Sequence, residues 1–348
     1  MTEWIAIVLV RGFDTTTEAD MQAVVIDRFG DPKDVLTAQT VPTPEPGPGE
    51  VRVATALSPI HNHDLAIIRG VYGYKPPLPA VPGTEAVGVV DAVGPGAEGL
   101  AVGQRVAMAG IHAAWADFFL ARADRAVPIP ASVPDETACQ LLAMPLSALM
   151  LLDDLRVQPG QWIAVNAANG AVGRLVNLFA QQRGVKVVSL VRGAASVRAL
   201  EQLGYGPVID SDVEGWAAHA AAVTNGEPIV RGIDQVSGPA AGALMSLLAP
   251  RGELISFGAL SGQPLVIETG AVIFKQAVVK GFWGQQRSAE IDPADYVRLI
   301  SELVGLAADG TLRLDVQAEF GLDHAGEAAV LSETPGRNGK VVLRAGAR

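Results

Sequence analysis

Residues 166–173 read NAANGAVG, set between the apolar WIAV at 162–165 and the helix-like RLVNLFAQQRG at 174–184. An apolar strand, a glycine turn and an amphipathic helix, followed by a second apolar run, KVVSLV at 186–191, are the context that a dinucleotide-binding turn requires. In such a turn the first glycine eases the bend, the second lets the backbone approach a pyrophosphate, and the third packs helix against strand. Ala168, Gly170 and Gly173 hold those positions here, and alanine can serve in the first provided its φ stays negative. The amides that open the helix would then face the phosphates. A plain structural turn is the alternative, and the flanking pattern favours the nucleotide.

The end of the second strand chooses the nucleotide. An NAD site commonly places an acid there, about twenty residues on, for the ribose 2′-hydroxyl. SLVRGAAS at 189–196 offers no acid and presents Arg192 instead. A guanidinium matches a 2′-phosphate that a carboxylate would repel, so NADPH is the expected cofactor. A merely solvated arginine is the competing reading.

Downstream the alternation continues. SVRALEQLG, PVID, GWAAHAAAV, IVRGIDQVSG, AGALMSLLAP and RGELISFG, within 196–258, alternate helix and strand patterns as a doubly wound parallel sheet does. Upstream the pattern is β-like: VRVATAL at 51–57, EAVGVVDAVG at 85–94 and QRVAMAG at 104–110 lie between turn signals. PTPEPGPGE at 42–50 and YKPPLPAVPG at 74–83 exclude helix, because proline removes an amide donor and restricts its predecessor. The fold class is α/β, a barrel-like β unit joined to a nucleotide-binding unit.

The chain of 348 residues suggests about two domains. Its formal charge of −11 argues against nucleic acid or an anionic membrane surface as partner. Cys139 is the single cysteine, which precludes an intrachain disulfide or a thiolate metal cluster and fits a cytoplasmic setting. EWIAIVLV at 3–10 is too short to span a bilayer and lacks a cleavage site, so residues 1–20 read as an N-terminal extension. Whether Met1 or Met21 is the start stays open.

The segments PGPGEVRV (46–53), PAVPGTEAVGVVDAVG (79–94), GLAVGQRV (99–106), VQPGQWIAVNAANGAVG (157–173) and GRNGKVVL (336–343) together resemble the medium-chain dehydrogenase/reductase superfamily. The resemblance implies a GroES-like β-rich catalytic domain from residues 21–141 and 286–348. It implies a Rossmann domain over 142–285, and a cleft between the two. It also implies cofactor contacts from Asn166, Asn169, Gly170, Ala171, Val172, Gly173, Arg192, Phe257, Gly258, Phe282, Trp283 and Lys340.

Zinc-dependent members carry a cysteine after the second strand and a GHE histidine. The corresponding stretches here are LSPIHNHDL at 57–65 and Gly83-Thr84-Glu85. His61 and His63 remain as conceivable ligands, but a catalytic zinc needs three convergent protein ligands and no third stands at metal-like spacing. No metal is expected, which makes a zinc-dependent alcohol dehydrogenase the less favoured reading.

The zinc-independent branch holds quinone oxidoreductases and mitochondrial-type trans-2-enoyl thioester reductases. RGVYGYKPPLPAVPG at 69–83, NAANGAVG, and FKQAVVKGFW at 274–283 resemble the enoyl reductases, although His61 stands where an asparagine is expected and AMPLSALMLL at 143–152 departs from their pattern. The resemblance implies hydride transfer to the β-carbon of a 2-enoyl thioester of CoA or acyl carrier protein. Quinone or small-enone reduction is the alternative, and a non-catalytic NADPH-binding protein a third. Tyr72 is the candidate proton donor or carbonyl-orienting group, with Tyr74 or a water as rival, and His61 is a candidate for the nicotinamide cleft. Arg69, Lys75, Arg122 and Arg125 are candidates for a carrier phosphate at the site entrance. AVIFKQAVVKGFW at 271–283 is an apolar edge-like stretch suited to a homodimer.

Overall fold

The computed structural model describes residues 20–334 and 336–346. The proposed extension therefore lies outside the described residues, apart from Asp20, which opens the first strand.

The chain forms two compact units, residues 20–128 with 316–346 and residues 129–315. The first runs β1 (Asp20–Val25), α1 (Pro32–Val35), β2 (Thr37–Pro42), β3 (Glu50–Pro59), α2 (Asn62–Ile68), β4 (Glu85–Val93), β5 (Arg105–Ala109), β6 (Phe118–Arg122) and β7 (Val127–Pro128). The second contains α3 (Asp135–Ala138), α4 (Ala143–Leu155), β8 (Trp162–Val165), α5 (Ala171–Gln182), β9 (Lys186–Val191), α6 (Ala194–Gln202), β10 (Val208–Asp210) and α7 (Trp216–Val223). It continues through β11 (Ile229–Asp234), α8 (Pro239–Leu247), β12 (Leu248–Ser256), α9 (Thr269–Lys275), β13 (Val278–Gly281), α10 (Gly284–Glu290) and α11 (Pro293–Ala308). The chain then returns to the first unit as β14 (Val316–Gly321), α12 (Ala325–Glu333) and β15 (Lys340–Arg344).

In the first unit β3 organises the sheet. It pairs antiparallel with β4 along one edge, and along the other with β6 at its start and β15 at its end. Alternation along VRVATAL buries Val51, Val53 and Leu57 completely, as a half-buried pleated strand requires. Val51, Val53, Met108 and Phe119 pack into one core, while Ile26, Ile60, Trp115 and Leu343 pack into another under α2 and α12.

The second unit is an all-parallel sheet of order β10-β9-β8-β11-β12-β13. Strand order reverses between β8 and β11, and the carboxyl ends of strands at such a switch point are where ligands bind in doubly wound sheets. Ala164, Val188, Leu254 and Met245 form its core.

The unit boundaries fall at 128/129 and 315/316 rather than at 141/142 and 285/286. One feature joins the two reassigned segments to each other, and another ties them to α4 of the α/β unit. Gln140 Nε2 donates to the carbonyls of Leu314 (3.2 Å) and Asp315 (3.3 Å), and Arg298 on α11 pairs with Asp153 on α4 at 2.9 Å.

Candidate active site

The turn after β8 is built as a phosphate-binding turn must be. Its left-handed residue is Ala167 (φ 46°), one place before Ala168, whose φ is not positive. A Cβ on Gly173 would lie 2.5 Å from Ala168 Cα, so only glycine lets α5 sit this close to the turn. Gly170 caps α5 with no side-chain acceptor, and the first turn carries no acid, which leaves the helix-start amides of Ala171, Val172 and Gly173 for an anion.

Asn166 is engaged within the protein. It is buried, and both ends of its amide are taken: Nδ2 donates to Asp234 Oδ1 (2.6 Å) and Oδ1 accepts from Gln235 N (2.7 Å). Asp234 Oδ1 also accepts from the backbone amides of Val236 and Ser237, both at 3.1 Å. This network clamps the ends of β8 and β11 together at the switch point, a role the sequence pattern did not disclose for Asp234 or Gln235.

Further along the same strand ends, Phe257 N donates to Asp234 O at 2.8 Å, and a Cβ on Gly258 would meet Gln235 O at 2.8 Å. Phe257 and Phe282 lie with ring centroids 5.7 Å apart; Phe282 is buried and Trp283 exposed. Asn169 is exposed and donates to Ser196 Oγ at 3.3 Å. Arg192 is exposed immediately after β9, while Asp210, at the end of the neighbouring β10, accepts from Gly193 N at 2.9 Å.

The first unit gathers a second polar cluster around α2. The Asp64 carboxylate accepts the amide of His61 at 2.8 Å, capping the helix start. His61 is completely buried, with Nε2 2.7 Å from Glu85 Oε2 and no partner for Nδ1. It therefore cannot line a substrate cleft, and the expectation of a directly acting His61 is corrected to a structural one. Lys340 lies in the same unit. Half-buried on β15, it reaches the carbonyl of Ile60 at 3.4 Å, and its charge bears on His61.

His63 is partly exposed. Its Nε2 lies 2.7 Å from Thr84 Oγ1, and Thr84 donates in turn to Asp64 Oδ1 at 2.7 Å. The His63 ring stacks on His61 at 4.9 Å and neighbours that of Tyr72 at 5.9 Å. Tyr74 stacks on His112 at 4.7 Å, and both line a small cavity with Asp64 and Thr84. Sequence reasoning missed His112 and the joint action of Asp64, Thr84 and Glu85. Among the described residues no group of three or more His, Cys, Asp or Glu is placed to hold a metal ion.

Arg69 and Arg122, two of the basic entrance candidates, hold acidic partners. Arg69 pairs with Glu333 at 2.7 Å, and Arg122 grips Asp124 at 2.9 Å. Lys75 is exposed.

Burial holds His61 well below the ordinary imidazole range, helped by the positive charge of Lys340, and burial also lowers His112. Both stay neutral in the folded protein while the unfolded chain takes up protons below about pH 6.5, so stability falls as the pH drops through that value. Each histidine contributes a slope of up to about 1.4 kcal/mol per pH unit until its folded form also protonates. Thermal midpoints measured between pH 7.5 and 5 should decline, and His61→Asn should flatten the decline. An unchanged pH profile in that variant would contradict the assignment.

Residues 47–131 match the family described as alcohol dehydrogenase GroES-like domain, and residues 171–302 match the zinc-binding dehydrogenase family. The chain is 30% identical over 300 residues to the mitochondrial enoyl-[acyl-carrier-protein] reductase of Rattus norvegicus, covering 84% of this chain and 80% of that protein. It is 29% identical over 314 residues to the enzyme of the same name from Arabidopsis thaliana, covering 88% and 84%. Among solved structures, the Escherichia coli quinone oxidoreductase complexed with NADPH superposes with a TM-score of 0.85 at 26% identity, covering 93% of this chain and 99% of that one. With a GroES-like unit, a parallel sheet of Rossmann order and relatives of this kind, the chain belongs to the medium-chain dehydrogenase/reductase superfamily, in the branch of the quinone oxidoreductases and mitochondrial enoyl reductases.

Proposed function

We propose that this oxidoreductase uses NADPH to reduce the conjugated double bond of a 2-enoyl thioester, carried on CoA or acyl carrier protein. The observation that carries the choice of substrate is the Tyr72 loop beside the His63–Thr84–Asp64 chain, because reducing a carbon–carbon double bond needs a proton delivered to carbon. Reducing a quinone needs protons only on oxygen, which water supplies.

The residues present fit the cofactor. The uncapped start of α5 would take the pyrophosphate, Asn169 and the glycine turn would shape its seat, and Arg192 would pair with the 2′-phosphate. Phe257, Gly258, Phe282 and Trp283 border the same strand ends. NADPH, when bound, supplies the hydride. Tyr72 then orients the thioester and gives its proton to the α-carbon as enolate charge grows on the substrate. Zinc takes no part in this reading, since His61 is committed to Glu85.

Quinone and small-enone reduction is the second reading, favoured by the superposition on the quinone oxidoreductase. NADPH oxidation measured against crotonyl-CoA, longer enoyl thioesters and small quinones separates the two. Turnover of thioesters is expected, and turnover of quinones alone would overturn the first reading.

The cofactor choice carries its own expected result. NADPH should bind more tightly than NADH, and Arg192→Ala should remove about 1–3 kcal/mol of that preference, the worth of a charge-assisted contact. Equal wild-type affinities for the two nucleotides would contradict it.

The assembly we propose is a homodimer joined along β13. That strand ends the sheet, and Val278, Val279, Ile273 and Phe274 are exposed on or beside it. Sedimentation should give a dimer, and Val279→Asp should yield monomer; a monomeric wild type would refute this. The cytoplasmic setting belongs to the same proposal, and no helix among the described residues is long and apolar enough to cross a membrane.

A further inference from the structure

The direction of each hydrogen bond around His63 is fixed by chemistry. The buried Asp64 carboxylate only accepts, so the Thr84 hydroxyl donates to Oδ1 and is left to accept at its oxygen. His63 Nε2, 2.7 Å away, must then carry a hydrogen and donate it. That leaves Nδ1 as the one nitrogen of His63 that can gain and lose a proton, on a ring that neighbours Tyr72 at 5.9 Å between centroids. The ring cannot flip without breaking its bond to Thr84, and the His61 ring, stacked at 4.9 Å, holds it from behind.

Asp64 Oδ1 lies 3.8 Å from Nε2, and His61, the other ring in contact, is neutral and turned to Glu85. Lys340 is the opposing charge, and it acts on His61. Asp64 and Thr84 also line a small cavity with Tyr74 and His112.

We propose that His63 is the positioning residue that returns a proton to Tyr72 in each catalytic cycle. This rests on the enoyl-thioester reading. In the step, the Tyr72 O–H bond breaks as the enolate electron pair forms the Cα–H bond. The His63 Nδ1–H bond then breaks and the tyrosine O–H bond re-forms. The imidazolium becomes neutral imidazole, keeping its Nε2 hydrogen on Thr84, and solvent water reprotonates Nδ1. One hydride and one solvent proton are consumed per double bond. Without His63 the phenolate loses this route to a proton.

The test uses the full-length protein with crotonyl-CoA and NADPH. His63→Gln keeps a donor toward Thr84 but cannot cycle a proton. Its kcat should fall about 10-fold to 100-fold, toward the lower range of general-acid effects, with KM for NADPH unchanged and a larger solvent deuterium effect on kcat. His63→Ala should fall similarly and be restored by added imidazole. Unchanged kcat in His63→Gln, an unaltered solvent isotope effect, or failure of imidazole to restore His63→Ala would overturn the proposal, as would loss of NADPH binding in both variants. Wild-type turnover of crotonyl-CoA is the separate check on the underlying reading: its absence overturns both, whereas turnover with an indifferent His63 overturns the relay alone.

Discussion

Replacing Tyr72 by phenylalanine should lower kcat for an enoyl thioester by about 10²–10⁴-fold, the usual range for a lost general acid. The substitution keeps the ring and its neighbour His63 and removes only the hydroxyl. Because enolate charge exists only as the hydride arrives, a phenol hydrogen bond that strengthens with this charge lowers the barrier more than it tightens ground-state binding. NADPH affinity should therefore stay near wild type, and quinone reduction should suffer much less. Steady-state kinetics with both substrates checks this. Full kcat with the thioester would transfer the role to Tyr74 or to a water, and Tyr74→Phe would decide between those.

Gly173→Val should damage both the fold and the cofactor seat of the nucleotide-binding unit. A Cβ at this position falls 2.5 Å from Ala168 Cα and 2.6 Å from its carbonyl oxygen, both backbone atoms that cannot swing away. Either α5 retreats from the turn or the turn unfolds, at a cost of about 1–3 kcal/mol or more for overpacking. The helix-start amides would move with α5, so NADPH affinity should drop at least 10-fold alongside a lower thermal midpoint. A variant that melts and binds NADPH as wild type does would mean that α5 does not seat the cofactor. Gly305→Ala on α11 is the control, since a Cβ there meets no atom within 4 Å.

The nucleotide-binding half was the more legible part of the sequence. Glycine spacing and a switch of hydrophobic period are local signals, and they located β8, α5, β9 and the loop carrying Arg192. What stayed hidden depends on pairings across the chain. Asp234 lies 68 residues from Asn166, and nothing in GIDQVSG announces that its carboxylate closes the switch point and engages the Asn166 amide. His61 and Glu85, 24 residues apart, meet only because β3 and β4 pair, and that pairing buries a histidine whose loop position suggested exposure. Thr84 looked like a mere loss of a metal-binding histidine; the fold makes it the link between His63 and Asp64. The compact units divide elsewhere than the resemblance implies because helices within residues 286–315 pack on α4 through Arg298 and Asp153, a contact no local pattern encodes.

The fate of isotopic labels in the product tests the central claim most directly. Crotonyl-CoA reduced with C4-deuterated NADPH in ordinary water should give butyryl-CoA with deuterium at the β-carbon alone. Reduction with unlabelled NADPH in deuterium oxide should place it at the α-carbon alone. That outcome identifies a conjugate reduction with separate hydride and proton donors. No saturated thioester, with NADPH consumed only when a quinone is present, would contradict the account.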